Sequence, residues 1–479
     1  MKREENFRSL CAAILVAVGV IALVVMFVRC GFNPNLWFDE SGQFWMSKGQ
    51  IHFAPPLTPD GTLADVLQAN RTANSDPGGY TVALHWWLSG GTSPLWLRSF
   101  SFIFFVATAF AFAGIAWLWT RNRLLAAAAG VLPACSPLLV TFAFELRAYS
   151  MEACGIALSV LLLEYAGRRP AVGRFLALGI LAAFFLTSRY SFICPATATG
   201  LALFWMVRDF PWRQRLSFLA AYAIPVLASC AAIYLVTLGH SQSHQKPNPP
   251  YYVEQYVLGG KTLGEMAGIA VRALFSWYEL GALLFVALFL FFALRRNERS
   301  GYQRFTPLFI IVVVVNLEVV LLSLLGKYPW CPNLRWGIGL NLLSMLSLLP
   351  ALWMLARSAA GEEATGRKGF SLGVCLAVSL LALYGAATSR VSSEEPLYDN
   401  IMKLGPASLY GKTVFITQMA QPSVRYLYEY GPLKRYAEGI YPQSFIFEVP
   451  PKVTDYRPID YFISPEGIRR GESSGGRQP

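Results

Sequence analysis

The residues best equipped for chemistry in this chain are few and unusually placed. Asp39 and Glu40 stand side by side within Trp37-Phe38-Asp39-Glu40-Ser41-Gly42-Gln43-Phe44-Trp45, just after the first long apolar run. A carboxylate there can take a proton from a hydroxyl, with its neighbour orienting it or sharing a divalent cation. The alternative is a pair of acids opening a helix beside Ser41. Glu145-Leu146-Arg147-Ala148-Tyr149 lies between two later apolar runs. Residues two apart do not share a helix face, so a turn is needed to aim both at one cavity, Glu145 as a second acid and Arg147 as a phosphate clamp. A satisfied ion pair at the membrane interface is the competing role. Lys327, Arg335 and Arg189 are cations at the ends of apolar runs, where they either meet an anion or snorkel to water. Asp76 and the histidines His52, His85, His240 and His244 complete the set. His240 and His244 could ligate a metal together only on a helix, and Pro247, Pro249 and Pro250 argue for a loop there.

The elements that must position these groups are written in the composition. Of 479 residues, 55% are hydrophobic and only 14% charged, whereas a soluble chain carries about a quarter charged residues. Apolar stretches recur that are long enough for a ~30 Å hydrocarbon core, so the chain reads as an all-α polytopic membrane protein. The first stretch, Leu10 to Val28, follows a basic start and reads as a retained helix, not a cleaved signal. The net charge of +12 does not point to nucleic acid, because the arginines cluster in short connections. Those clusters are the N-terminus; Arg121 and Arg123; Arg168, Arg169 and Arg174; Arg208, Arg213 and Arg215; Arg295, Arg296, Arg299 and Arg304; and Arg357, Arg367 and Lys368. Placing all of them inside gives eleven expected spans, at 10–30, 97–119, 124–143, 150–166, 174–190, 192–207, 216–238, 273–294, 305–325, 336–356 and 370–388. Pro77 to Leu88 is too short to cross and would invert every later loop, so it reads as a juxtamembrane or re-entrant helix in a first outer loop, 31–96.

This topology puts Asp39, Glu40, Asp76, Glu145, Arg147, Arg189, Lys327, Arg335 and all four histidines on the outer face. The long loops 31–96, 239–272 and 326–335 lie there too, and loops of that kind carry function. The sequence divides into a membrane domain, 1–388, and a different segment, 389–479. That segment shows strand-like Thr413–Gln418 and Phe445–Val449, a helical Ser423 to Tyr430 stopped by Gly431-Pro432, and a disordered tail from Gly471. It reads as a small extracytoplasmic α/β domain. The eight cysteines show no metal-type spacing and imply no disulfide framework; Cys30 and Cys331 could both face outward, which is little ground for a bridge. Asn70-Arg71-Thr72 matches a glycosylation triplet, too common a pattern to carry weight.

Taken together, these stretches resemble the GT-C superfamily of integral-membrane glycosyltransferases, and within it the bacterial protein-mannosyltransferase-like group, glycosyltransferase family 39. Trp37–Gln43 looks like the Asp-Glu motif of that family's first outer loop. Asp76-Pro77-Gly78-Gly79-Tyr80, continuing to His85-Trp86-Trp87, is similar to its His-Pro-Pro-Leu-Tyr-Tyr…Leu-His-Leu-Trp segment. Phe144 to Ser150 looks like its Arg-Glu-Ala-Arg-x-Tyr stretch, and Leu334-Arg335-Trp336 loosely echoes a late Pro-Arg-Tyr-Leu. The likeness is strongest over about 30–200 and rests on topology from 200 to 388. It implies a polyprenyl-phosphate sugar donor, inversion at the anomeric carbon, and a glycan, lipid or protein acceptor. The resemblance makes Asp39 the base, Glu40 its support and Glu145 a second acid. Arg147 and Arg335, with Lys327 and Arg189, face the donor phosphate, and Asp76, Tyr80, His85 and Tyr149 face the acceptor or substrate. A divalent cation, if used, would sit at Asp39 and Glu145. Asp76 and Gly78 depart from the family, which carries a basic residue or His and a Pro there; this points Asp76 to acceptor or cation rather than phosphate. The expected setting is a bacterial inner membrane, with an extracytoplasmic site.

Two other readings compete. A transporter or flippase for a lipid-linked sugar would place charges or broken helices at mid-membrane, whereas here they sit at the ends of spans, Glu318 being the chief exception. A glycan ligase or polymerase of another fold would share the donor but not the Asp-Glu motif.

Overall fold

The computed structural model describes residues 2–73, 76–240, 262–274, 276, 279–296, 301–330, 335–359, 364–390, 396–438, 441–447, 461–465 and 467–470. The apolar runs fold as helices: α1 (Lys2–Gly31), then, past three short helices α2 (Phe38–Ser47), α3 (Leu63–Ala73) and α4 (Gly79–Trp87), the long α5 (Pro94–Thr120). Ser93 caps α5 and Pro94 occupies its first turn, where no amide hydrogen is needed. The chain returns through α6 (Arg123–Val131) and α7 (Pro137–Ala143) to α8 (Tyr149–Arg168), α9 (Val172–Leu186), α10 (Ile193–Met206) and α11 (Trp212–Val236). After α12 (Leu263–Leu274) come α13 (Leu280–Leu294), α14 (Thr306–Leu324), α15 (Ile338–Ala359) and α16 (Ala364–Thr388).

The protein is a multi-pass membrane protein. Among the described residues, six helical stretches are long and apolar enough to cross a bilayer: Ser9–Gly31, Pro94–Thr120, Tyr149–Arg168, Trp212–Val236, Tyr302–Leu324 and Arg335–Leu355. A seventh candidate is bent by 74° between Arg123–Cys135 and Pro137–Ala143; Pro133 and the Ser136-Pro137 cap interrupt its hydrogen bonding. Val172–Leu186, Tyr190–Met206, Leu280–Leu294 and Cys375–Thr388 are shorter apolar helices. Each of the eleven expected spans therefore has its helix, with shifted ends. The span expected over 174–190 stops at Leu186, and Arg189 follows in extended backbone.

Helices α5 and α8 fix the two ends of the bundle. Near its start α5 meets the 144–146 turn, where Arg98 donates to the Phe144 carbonyl. At its other end Leu118 accepts from Arg168 at the end of α8. Arg121, Arg123, Arg168, Arg208 and Arg304 gather at this second end. The loop 32–93 covers the first.

Pro77–Leu88 forms the nine-residue α4, too short to span, lying against α2 and α3. Asn70, of the glycosylation triplet, is buried and donates to the Asp76 carbonyl at 2.9 Å. Cys30 is a buried free thiol, and Cys331 lies outside the described residues, as do His244, the three prolines after it and the tail from Gly471.

The C-terminal segment contains α17 (Leu397–Leu404), β1 (Val414–Ile416), α18 (Gln421–Glu429), β2 (Phe445–Phe447), β3 (Tyr461–Ser464) and β4 (Gly467–Arg470). The sheet order is β2-β1-β3-β4, with β1 parallel to both neighbours and β4 antiparallel to β3. Two strands and α17 were not foreseen, and α18 begins two residues earlier than expected. Helix α18 is buried on α2: Trp45 Nε1 donates to the Pro422 carbonyl at 2.9 Å, and the Ser41 and Ser423 hydroxyls are 3.0 Å apart. Arg425 donates to Gln50 at 2.9 Å, and Glu429 accepts the Leu57 amide at 3.2 Å. Asn35 ties α17 by accepting the Tyr398 amide at 2.8 Å and donating to Asp399 at 3.0 Å.

Candidate active site

Helix α2 decides how the acidic pair is used. Trp37 is extended, the Ser41 amide closes the first turn on its carbonyl at 2.9 Å, and both acids lie at the favourable N-terminal end. Consecutive side chains on a helix diverge by about 100°, so one acid points into the protein and the other along its edge. Glu40 is the inward one, fully buried with Arg98. Arg98 grips it from two nitrogens at 2.7 and 3.2 Å and also donates to the carbonyls of Phe144 at 2.8 Å and Asn35 at 2.7 Å. The Leu146 amide donates to the same carboxylate at 2.9 Å. Burial pushes the Glu40 carboxyl up, while Arg98 and the Leu146 amide pull it back.

Asp39 stays partly open, its side chain 23% exposed, and accepts from Arg335 Nη1 at 2.6 Å. Arg335 begins a 3₁₀ turn, Arg335–Gly337, that leads into α15, and its guanidinium lies over the rings of Trp37 and Trp336. Burial acts to raise the Asp39 carboxyl, but Arg147 and Arg335 outweigh it and hold the group below its ordinary value. Arg147 comes from the 144–148 turn, closed by its amide on the Glu145 carbonyl at 2.7 Å. Asp39, Tyr149 and Asp76 hold its charge in place against the cost of burial.

Asp76 sits between two cations, 3.8 Å from Arg147 and 3.7 Å from Arg189. These ion pairs are too long for hydrogen bonds, and Arg147 Nε is buried without a hydrogen-bond partner. Arg189 is better anchored, donating to Glu152 at 2.7 Å and lying 4.5 Å over the Tyr149 ring. His52 packs edge-on to Phe38 and against Gly42, where an added Cβ would meet its Nε2 at 2.3 Å. Burial and Arg147 push its imidazole down to about 4, against the pull of Asp39, so it is neutral at physiological pH.

The structure thus brings Asp39, Arg335, Arg147, Asp76, Arg189 and Tyr149 into one connected group at one end of the bundle. Other expected site residues lie beneath or outside it. Glu40 and Glu145 are fully buried. The Tyr80 hydroxyl is 2.8 Å from that of Ser101, which donates to the Glu145 carbonyl at 2.6 Å. His85 Nδ1 meets the Ser47 carbonyl at 2.8 Å, joining α4 to the end of α2. Lys327 is exposed and makes no ion pair among the described residues. Arg98, Glu152 and His52 were missed as partners. The first two had a signal: each is an ionisable residue within an apolar run, where charge needs a partner. Glu318, the exception among the span-end charges, lies in the last third of α14 and accepts from Thr197 at 2.5 Å. For a divalent cation the donor set is poor: among the described residues no three His, Cys, Asp or Glu side chains gather as ligands, and Asp39 and Asp76 already face guanidinium groups.

The fold is similar to that of the oligosaccharyltransferase of Archaeoglobus fulgidus crystallised with Zn and sulfate. The two share 14% identity and a TM-score of 0.50, over 85% of this chain and 61% of that one. Archaeal oligosaccharyltransferase AglB from the same organism, in complex with an inhibitory peptide and a dolichol-phosphate, matches at 13% identity and TM-score 0.48, over 86% and 63%. Arabinosyltransferase EmbB from Mycobacterium smegmatis matches at 14% and 0.43, over 83% and 41%. The chain spans less than two thirds of each of these proteins. At 14% identity the likeness to the first of these is one of fold alone. No protein-family model matches the chain, and no curated protein matches it.

Proposed function

We propose that this protein is an inverting glycosyltransferase that moves a sugar from a polyprenyl-phosphate donor to an acceptor hydroxyl, at the extracytoplasmic face of a bacterial inner membrane. The observation that carries this reading is the group built on Asp39 and Arg335: two partly open carboxylates, Asp39 and Asp76, interleaved with three guanidinium groups at one end of an apolar bundle. In the reaction the acceptor oxygen gives its proton to Asp39 and bonds to the anomeric carbon. The bond from that carbon to the phosphate oxygen breaks, and its electron pair leaves on the phosphate. A single displacement of this kind inverts the centre. The departing phosphate needs no proton if cations neutralise it; Arg335 and Arg147 act on the acid that would take the acceptor's proton, and Arg189 stands beyond them against Asp76.

The Asp39–Arg335 contact gives the site an order of events. While Arg335 holds Asp39, the carboxylate is a weak base. A donor phosphate competes for the guanidinium fork; once Arg335 turns to it, Asp39 loses a stabilising partner and its basicity rises. Asp76 and Tyr149 face the acceptor side, with Tyr80, His85, Glu40 and Glu145 forming the supporting floor. Residues 389–479 act as a small outer domain whose α18 holds α2 in place.

The test is reconstitution in liposomes with polyprenyl-phosphate-linked radiolabelled sugars, together with mass spectrometry of envelope glycans from cells with and without the protein. We expect release of polyprenyl phosphate with one sugar, and loss of that sugar from one glycan class. Unchanged glycans together with intact donor would overturn the assignment. Movement of intact donor between leaflets would favour a flippase.

A further inference from the structure

Three buried nitrogens on residues around Asp39 make no hydrogen bond: Trp37 Nε1, His52 Nε2 and Arg147 Nε. Buried polar groups in folded proteins are nearly always paired, so each needs an account. Arg147 is held by charge, with Asp39, Tyr149 and Asp76 acting against the cost of its burial. His52 is a neutral imidazole whose single proton sits on either nitrogen, so Nε2, packed on Gly42, need not be a donor. Trp37 has no such way out. An indole always carries its N–H and can only donate.

The backbone fixes this residue beside the reactive pair. Trp37 is the extended residue that opens α2, and its carbonyl accepts the Ser41 amide at 2.9 Å and the Ser41 hydroxyl at 3.0 Å. That hydroxyl is in turn 3.0 Å from the Ser423 hydroxyl on α18. Asp39 follows two residues later, and the Arg335 guanidinium that holds it lies over the Trp37 ring, 5.9 Å from its centre. The same guanidinium lies 5.2 Å from the centre of the Trp336 ring. Any turn of Arg335 away from Asp39 therefore also changes what covers the indole. A leftover N–H beside a guanidinium suits an anion that both can share. A phosphodiester presents two non-bridging oxygens, each with lone pairs beyond those one guanidinium fork uses.

We infer that Trp37 is a donor-binding residue: once Arg335 turns from Asp39 to the donor phosphate, the indole N–H donates to a non-bridging oxygen of the same group. The inference rests on the glycosyl-transfer reading and adds one contact to its donor side. The test uses the full-length protein, with retention of polyprenyl phosphate and of uncharged polyprenol counted by native mass spectrometry in detergent, and transfer kinetics measured in liposomes. Trp37→Phe keeps an aromatic ring and removes the N–H. We expect it to weaken polyprenyl phosphate retention and raise the donor KM by about tenfold or more, the scale of one hydrogen bond to a charged group. Polyprenol retention and the acceptor KM should stay native. Unchanged polyprenyl phosphate retention in Trp37→Phe would overturn the inference. So would an equal loss of polyprenol, which marks a packing role, or a loss confined to the sugar-loaded donor, which marks a contact to the sugar. If Trp37→Phe does not fold, Trp37→benzothienylalanine keeps the full ring shape with sulfur in place of the N–H, and the same loss is expected. A native protein that neither retains polyprenyl phosphate nor transfers sugar would defeat the glycosyl-transfer reading itself.

Discussion

Asp39 and Glu40 are neighbours in the chain, yet they belong to two electrostatic centres with opposite properties. Glu40 meets Arg98 in full burial, every carboxylate oxygen is used, and the pair fastens α2, α5 and the 144–146 turn together. Asp39 meets Arg335 with about a quarter of each side chain exposed, beside cations that face Asp76 at ion-pair but not hydrogen-bond distance. A sealed pair with no spare valence resists change, whereas a pair that water reaches can exchange partners with a ligand. The Glu40 centre holds the loop, and the Asp39 centre is the one placed to act in the proposed reaction.

The comparison is broken most severely at Arg98. Arg98→Ala leaves Glu40 as a buried charge without its partner, which costs about 3–5 kcal/mol. The expected outcome is loss of the monodisperse protein on size exclusion in detergent and a collapsed thermal melt. A stable but inactive Arg98→Ala protein would move that pair from scaffold to chemistry.

Asp39→Asn sharpens the comparison from the other side. The substitution keeps shape and removes the proposed base, so sugar transfer should fall by about 10²–10⁴-fold while the melt stays close to that of the native protein. Near-native turnover would remove Asp39 as the base.

Arg335→Gln comes next. Losing a charge-assisted contact to the donor phosphate is worth about 1.5–3 kcal/mol, so donor use should weaken by about 10–100-fold. Arg335→Lys should not restore it fully, because an ammonium lacks the two-pronged fork.

Much of this architecture was readable in advance, and the reason is physical. Lipid demands long apolar helices, so the spans declare themselves, and the clustered arginines declare their ends. Asp39, Arg147 and Arg335 stood out because charge is scarce in such a chain. What the sequence did not reveal is which acid pairs with which cation. Arg98 is 58 residues from Glu40, and only the packing of α5 against the first loop brings them together. Glu152 looked like one more residue of a span, yet it anchors Arg189. The C-terminal sheet was half-seen because its strands are three or four residues long, too short for alternation to register.

The open centre also makes a prediction in pH. Arg147 and Arg335 hold the Asp39 carboxyl below its ordinary value, so its ionised form favours the folded state above the usual carboxylate range, and this contribution is lost as pH falls through the lowered value. In Arg335→Gln one of the two cations is gone, and the group moves back up. The acid limb of the pH–rate profile should therefore shift to higher pH in that variant. An unmoved limb of the kcat/KM profile, which reports the free enzyme, would mean that Arg335 does not face Asp39 before the donor binds.

The smallest effect is expected at Lys327, and it discriminates for that reason. Lys327, like Arg335, was expected to face the donor phosphate, though Arg335, opening a helix, was the stronger candidate; both lie at the same end between α14 and α15. The fold separates them: Arg335 reaches Asp39, while Lys327 is exposed just past α14 and pairs with no described residue. An exposed, unpaired cation contributes little to binding or stability. Lys327→Ala should change initial rates by less than about twofold over a range of donor concentrations. A loss comparable to that of Arg335→Gln would show that the loop carrying Lys327 closes over the donor, and the reactive centre would then extend beyond the group built on Asp39.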